Sequence, residues 1–233
     1  MSFVQKNTLT GFLGVTSASS SITGATLHNL LVLFISWDVN GGTTGPSLDS
    51  TAIAAGWLTA RNPAGITAIG NSGWATGMSI FYRQDAASGT NTVNVTFPNS
   101  TRAQTLIAEF SGYATSGALD ITATNNVANG TTVTVTSATT NQATELVVVG
   151  VAADFVASNS NIGITDPPTG YTSLAVLQDT NTYAGLEFAY KEVTSTGTQS
   201  ATWSWATSGE GIASLATFGT SGSSDTLLGQ ALL

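Results

Sequence analysis

The sequence predicts an all-β protein, a jelly-roll-like antiparallel β-sandwich with an internal pseudo-repeat. Three observations carry that expectation. Short apolar runs recur at intervals of roughly 8–12 residues between clusters of Gly, Asn, Ser, Thr and Pro, while helical periodicity is nearly absent. Two runs, Leu30–Trp37 and Leu146–Val151, are apolar on both faces and so belong in central strands. Residues 81–112 align without a gap on residues 189–220, at a shift of 108.

In chain order, the pattern places strands near 8–16, 29–38, 55–61, 77–84, 90–97, 104–112, 119–124, 131–137, 144–152, 170–178, 185–193, 199–206 and 212–219. Val93, Val95 and Phe97 alternate with Asn94 and Thr96, as do Val133 and Val135 with Thr132, Thr134 and Thr136, giving one wet and one buried face. Within the repeat, Tyr82-Arg83 falls on Tyr190-Lys191, Ser88-Gly89-Thr90 on Thr196-Gly197-Thr198, Phe97 on Trp205, and Phe110 on Phe218. Upstream, Asn29-Leu30-Leu31-Val32 resembles Thr144-Glu145-Leu146-Val147-Val148, and Gly56-Trp57 resembles Gly170-Tyr171. No Pro- or Gly-rich linker divides the halves, which favours one sandwich over residues 1–220 built from two intertwined half-repeats, about 8–112 and 119–220. Two sandwiches in tandem are the alternative. Residues 221–233 read as a C-terminal tail, and its leucines Leu227, Leu228, Leu232 and Leu233 make it a candidate arm that docks on a partner.

Composition excludes several functions. The 233 residues contain no cysteine, which removes disulfides, thiolate metal sites and cysteine nucleophiles. Charged residues are only 8% of the chain, and Ser plus Thr supply 65 residues, so hydroxyls must carry solubility. The net charge is −8, and Lys6, Arg61, Arg83, Arg102 and Lys191 are scattered, which disfavours nucleic acid and anionic membranes. The N-terminus lacks the charged and apolar regions of a signal peptide, so synthesis in the cytoplasm is expected. Asn94-Val-Thr, Asn99-Ser-Thr and Asn129-Gly-Thr match the glycosylation triplet but read as chance in a Thr-rich chain.

Catalytic groups are sparse. His28, the only histidine, has no nucleophile elbow to serve and reads as a capping or packing residue. Clustered oxygens at Asp38-Val39-Asn40-Gly41-Gly42 and Thr165-Asp166-Pro167-Pro168 lack the spacing of a calcium loop and read as turns. No catalytic residue, metal or cofactor is therefore expected. A glycosidase-type acid pair would have to use Glu109 or Glu187, whose repeat counterparts are Thr217 and Ser79. Of the five tryptophans, Trp37, Trp57, Trp203 and Trp205 read as packing residues. Trp74, in a Gly-rich segment that reads as a loop, is the candidate for stacking on a ligand.

The set Asn29-Leu30-Leu31-Val32-Leu33-Phe34, Gly56-Trp57, Phe81-Tyr82-Arg83, Ser88-Gly89-Thr90 and Ala108-Glu109-Phe110-Ser111-Gly112-Tyr113 resembles jelly-roll virion proteins of tailed bacteriophages, above all capsid decoration or cement proteins. That resemblance implies a structural, non-enzymatic subunit on the capsid surface, made in the host cytoplasm and commonly trimeric. Its partner would be the major capsid protein or another virion subunit. A carbohydrate-binding or host-recognition sandwich is the alternative, and a glycoside-hydrolase-like enzyme the third reading.

Overall fold

A computed structural model of the chain describes residues 1–66, 74–154, 163–178 and 184–220. Strands account for 72% of the described residues and helix for 3%, so the protein is all-β, with two antiparallel sheets packed against each other. The first sheet contains β1 (Ser2–Lys6), β2 (Thr10–Ala25), β3 (Leu30–Asn40), β4 (Ser47–Leu48), β5 (Leu58–Arg61), β6 (Trp74–Arg83) and β7 (Gly89–Ser111). The second contains β8 (Leu119–Thr139), β9 (Thr144–Asp154), β10 (Thr172–Gln178), β11 (Ala184–Thr194) and β12 (Thr198–Gly219). The one helix among the described residues, α1 (Ser50–Ala54), starts where the Asp49 carboxylate accepts the Ala52 N–H at 2.6 Å. No helix among them is long and apolar enough to cross a membrane.

The internal repeat is a repeat of sheets. The first sheet runs β1-β7-β3-β6-β5, with β2 also on β7, and the second runs β10-β11-β9-β12-β8. Read from opposite ends the orders coincide: β7 matches β12, β3 matches β9, β6 matches β11 and β5 matches β10. Register agrees as well. Val32 faces Tyr82 and Ala108, and Val148 faces Tyr190 and Ala216. The half-repeats therefore do not intertwine: each sheet is made from one half of the chain. The reason is local pairing, since every described strand finds its neighbours within its own half.

What joins the halves is a shared core. Leu30, Val32, Phe34, Met78, Ile80, Leu106 and Phe110 meet Leu146, Val148, Leu186, Phe188, Ile212 and Phe218 in one buried cluster. Its aromatic contacts have pseudo-twofold form. Tyr82 of the first sheet packs on Phe218 of the second at 5.1 Å, and their counterparts Tyr190 and Phe110 pack at 5.2 Å. One position breaks the symmetry. The counterpart of Phe34 is Gly150, where a Cβ would lie 2.3 Å from Met78 Cε, and the space lets Phe34 stack on Phe188 at 5.1 Å.

Each half also closes over a second core on its outer face. Pairs of segments expected to be separate strands are single long strands: 90–97 and 104–112 form β7, 119–124 and 131–137 form β8, and 199–206 and 212–219 form β12. Breaks in register, as at Val15/Ser17 and Ser204/Gly209, bend these strands without ending them. The bent flap of β2 and β7 lays Ala18, Ile22, Val93, Val95 and Phe97 over Leu31, Leu33, Ile35 and Trp37. The flap of β8 and β12 lays Val133, Val135, Trp203 and Trp205 over Val147, Val149 and Val151. Both faces of β3 and β9 are thus covered, as their all-apolar runs require.

Close packing makes one glycine irreplaceable. At Gly77 a Cβ would lie 2.0 Å from Trp37 Cζ2, deep under the first flap. Gly77→Ala is expected to cost about 3 kcal/mol of stability by overpacking. Gly197→Ala, with nothing within 4 Å of its Cβ, is expected to be near neutral. Urea unfolding of the two variants checks the pair, and equal midpoints would contradict the packing account.

Candidate functional site

Alternation sends the even-numbered residues of β3 and β9 into the central interface, which becomes polar at one end. There β6 contributes Trp74 and Thr76, β3 contributes Asp38, β7 contributes Arg102, β9 contributes Asp154 and β12 contributes Glu210. Asp38 pairs in register with Arg102, and at the matching place in the second sheet Asp154 pairs with Glu210. A basic partner in one half is thus an acidic one in the other. Three carboxylates share the buried end, with exposures of 7% for Asp38, 5% for Asp154 and 0% for Glu210.

Burial governs their protonation. Loss of solvation pushes Asp38 up to about 7, the Asp154 charge adds to this, and Arg102 opposes it. Arg102 Nη1 lies 3.9 Å from Asp38 Oδ2, too far for a close ion pair. Glu210 rises to about 8, again chiefly from burial, although it accepts the Thr76 hydroxyl at 2.9 Å. Asp38, Thr76, Arg102, Ser36 and Gln104 also line an enclosed cavity of about 20 Å³. That is room for about one water molecule, so the site cannot enclose a sugar or peptide.

Trp74 does not sit in a loop. It opens β6 opposite Asn40, is partly buried, and carries the Arg102 guanidinium 4.4 Å from its ring centre. One face of the expected stacking platform is therefore taken by a cation–π contact. The other four tryptophans are buried, as their packing role requires. Two donate indole N–H bonds to matching positions of the repeat: Trp37 to Ser79 Oγ at 2.8 Å, and Trp203 to Glu187 Oε2 at 2.7 Å.

The two acids considered for hydrolysis differ in their surroundings. Glu109 accepts Gln5 Nε2 at 2.6 Å, the Thr26 N–H at 2.8 Å and Asn29 Nδ2 at 2.6 Å, which spends both oxygens. Glu187 is pushed up to about 8 by burial and by its hydrogen bond with Asp166. It has a second acid beside it, but it lies with Trp203 under the second flap and does not line the cavity beside Asp38.

His28 adopts a left-handed φ of 68° in the turn before β3 and meets Asp85 Oδ1 through Nδ1 at 2.7 Å, both side chains being exposed. Asp38 lies inside β3 and not in a turn. No group of three or more His, Cys, Asp or Glu with metal-binding geometry occurs among the described residues. Leu227, Leu228, Leu232 and Leu233 lie outside the described residues.

The acidic cluster escaped sequence reasoning, yet a signal existed. Asp38 and Asp154 end the two all-apolar strands at the same place in the repeat, and the 108-residue shift sets Glu210 on Arg102. No family model, curated protein or solved structure matches the chain.

Proposed function

We propose that the protein is a virion structural subunit of the decoration or cement type, stabilising a phage shell through contacts with the major capsid protein. The carrying observation is the distribution of polarity. Its carboxylate clusters and four of its tryptophans are enclosed, while the flaps turn neutral hydroxyl ladders outward, with Ser21 bonded to Thr92 at 2.8 Å, Thr134 to Thr202 at 2.8 Å and Thr136 to Ser200 at 3.1 Å. Such faces can be covered by protein without desolvating charge or immobilising long side chains. Repetition over many equivalent shell sites makes weak contacts collectively strong. Trimer formation would further shield the edge strand β10. Mass spectrometry of purified particles tests the reading: the subunit is expected at a fixed ratio to the major capsid protein, and its absence would end the proposal.

A second reading, carbohydrate recognition, is favoured by Trp74, the one tryptophan that is not fully buried. It expects glycan-array binding that Trp74→Ala abolishes. An array without signal for the unaltered protein removes it.

A further inference from the structure

The edge strand β5 borders an open groove of about 360 Å³, lined among others by Pro46, Leu48, Ile53, Trp57, Leu58 and Asn62. Two of these side chains are apolar and exposed, Ile53 at 60% and Leu58 at 40%. Trp57 is only 1% exposed, yet its indole N–H has no hydrogen-bond partner among the described residues. Among the described strands β5 pairs with β6 alone, so no described strand pairs with its outer edge. Apolar lining, a spare buried donor and an open strand edge together suit an extended apolar peptide that adds as a strand.

The chain itself supplies such a peptide at the right place. Phe218, near the end of β12, packs on Tyr82 at 5.1 Å, and Tyr82 is the register partner of Leu58. The described residues end at Thr220, two residues beyond Phe218, so the remaining residues start near the β5 edge that carries Leu58. They run through Ser221-Gly222-Ser223-Ser224 and Asp225-Thr226 to Leu227, Leu228, Leu232 and Leu233, with no charged side chain after Asp225. The joint from Thr220 to Leu227 spans up to roughly 20 Å when extended, against one ring contact of 5.1 Å and one strand spacing of about 5 Å between Phe218 and Leu58.

We propose that residues 226–233 dock in this groove of their own chain as an added strand on β5. The leucines cover Ile53 and Leu58, and a tail carbonyl accepts the Trp57 indole N–H. Docking would remove an exposed apolar edge that otherwise invites self-association. It stands whether or not the protein belongs to a virion.

Because the chain has no cysteine, introduced pairs report contact cleanly. The test pair is Ile53→Cys with Leu228→Cys. The control pair is Val176→Cys with Leu228→Cys, Val176 being 37% exposed on β10. Under dilute oxidation the test pair is expected to form an intrachain disulfide about tenfold faster than the control, through its higher effective concentration. Ile53→Cys alone is also expected to alkylate several-fold faster once the chain is truncated after Gly222. Ile53 and Val176 are both exposed, so folding survives their substitution. Equal rates in the two pairs, crosslinks only between chains, or labelling indifferent to truncation would each overturn the proposal.

Discussion

Glu109→Ala is expected to lower the unfolding free energy by about 4 kcal/mol, and the melting temperature by roughly 10 °C for a chain of this size. Glu109 is 0% exposed and takes bonds from Gln5, the Thr26 N–H and Asn29. Those donors sit on β1, just after β2, and just before β3, so one carboxylate on β7 fixes the ends of three other strands. A hydrogen bond to a charged group contributes about 1.5–3 kcal/mol, and its loss strands the donor. Asn29, 8% exposed, would keep a buried amide with no acceptor in place of Glu109. Glu109→Gln, which retains one acceptor but turns an NH2 toward the same donors, should fall between the two. Thermal unfolding by circular dichroism decides the matter. A Glu109→Ala protein within about 1 kcal/mol of the unaltered one would mean that the clamp contributes little beyond ordinary surface contacts.

The matching place in the second half shows how far sequence could lead. The counterpart of Glu109 is Thr217, and there the acid comes from the neighbouring strand as Glu145, aligned with Asn29. The internal alignment revealed that neither Glu109 nor Glu187 belongs to the pattern the halves share, but not that a buried acid stands one strand over in the second half, as Glu145 on β9. Periodicity was sufficient for β3 and β9, because an all-apolar run has only one stable setting. It failed at the bends. Pro98-Asn99-Ser100 resembles a turn, yet β7 continues through it, since a bulge relieves the register without breaking the ladder. It also missed β1, whose alternating Phe3 and Gln5 are too short a pattern to stand out. Which half each strand would pair with was not legible, because matched halves present equivalent edges. That was settled by pairing within each half, with contact between halves left to side chains. Trp74 was misplaced for a related reason: its glycine-rich surroundings obscured that it faces the central interface at the start of β6.

Stability is expected to fall as pH rises from about 5 to about 8. Four buried acids have raised values: Asp38 to about 7, and Glu145, Glu187 and Glu210 to about 8, burial being the first cause for each. In the unfolded chain such groups ionise near 4. Between those limits the folded state holds protons that the unfolded state has released, so the slope of unfolding free energy against pH is negative. The loss is complete once pH exceeds the folded values, and the curve flattens above about 8. Asp120 works in the opposite sense. Burial opposes its ionisation, but hydrogen bonds with Glu145 first and then Asn141 hold it below its ordinary value, so its contribution is lost only at acid pH. The maximum therefore falls near pH 4–5. Raising the pKa of one such acid by one pH unit on folding is worth about 1.4 kcal/mol, and local opening to water limits the sum, so a decline of about 4 kcal/mol and roughly 10 °C is expected between pH 5 and 8. Glu210→Gln isolates the acidic cluster, because glutamine still accepts the Thr76 hydroxyl but cannot ionise beside Asp38 and Asp154. The variant should lose part of the slope and exceed the unaltered protein in stability at pH 8. Melting curves that are flat from pH 5 to 8, or that climb with pH, would show that these carboxylates are already ionised in the folded protein.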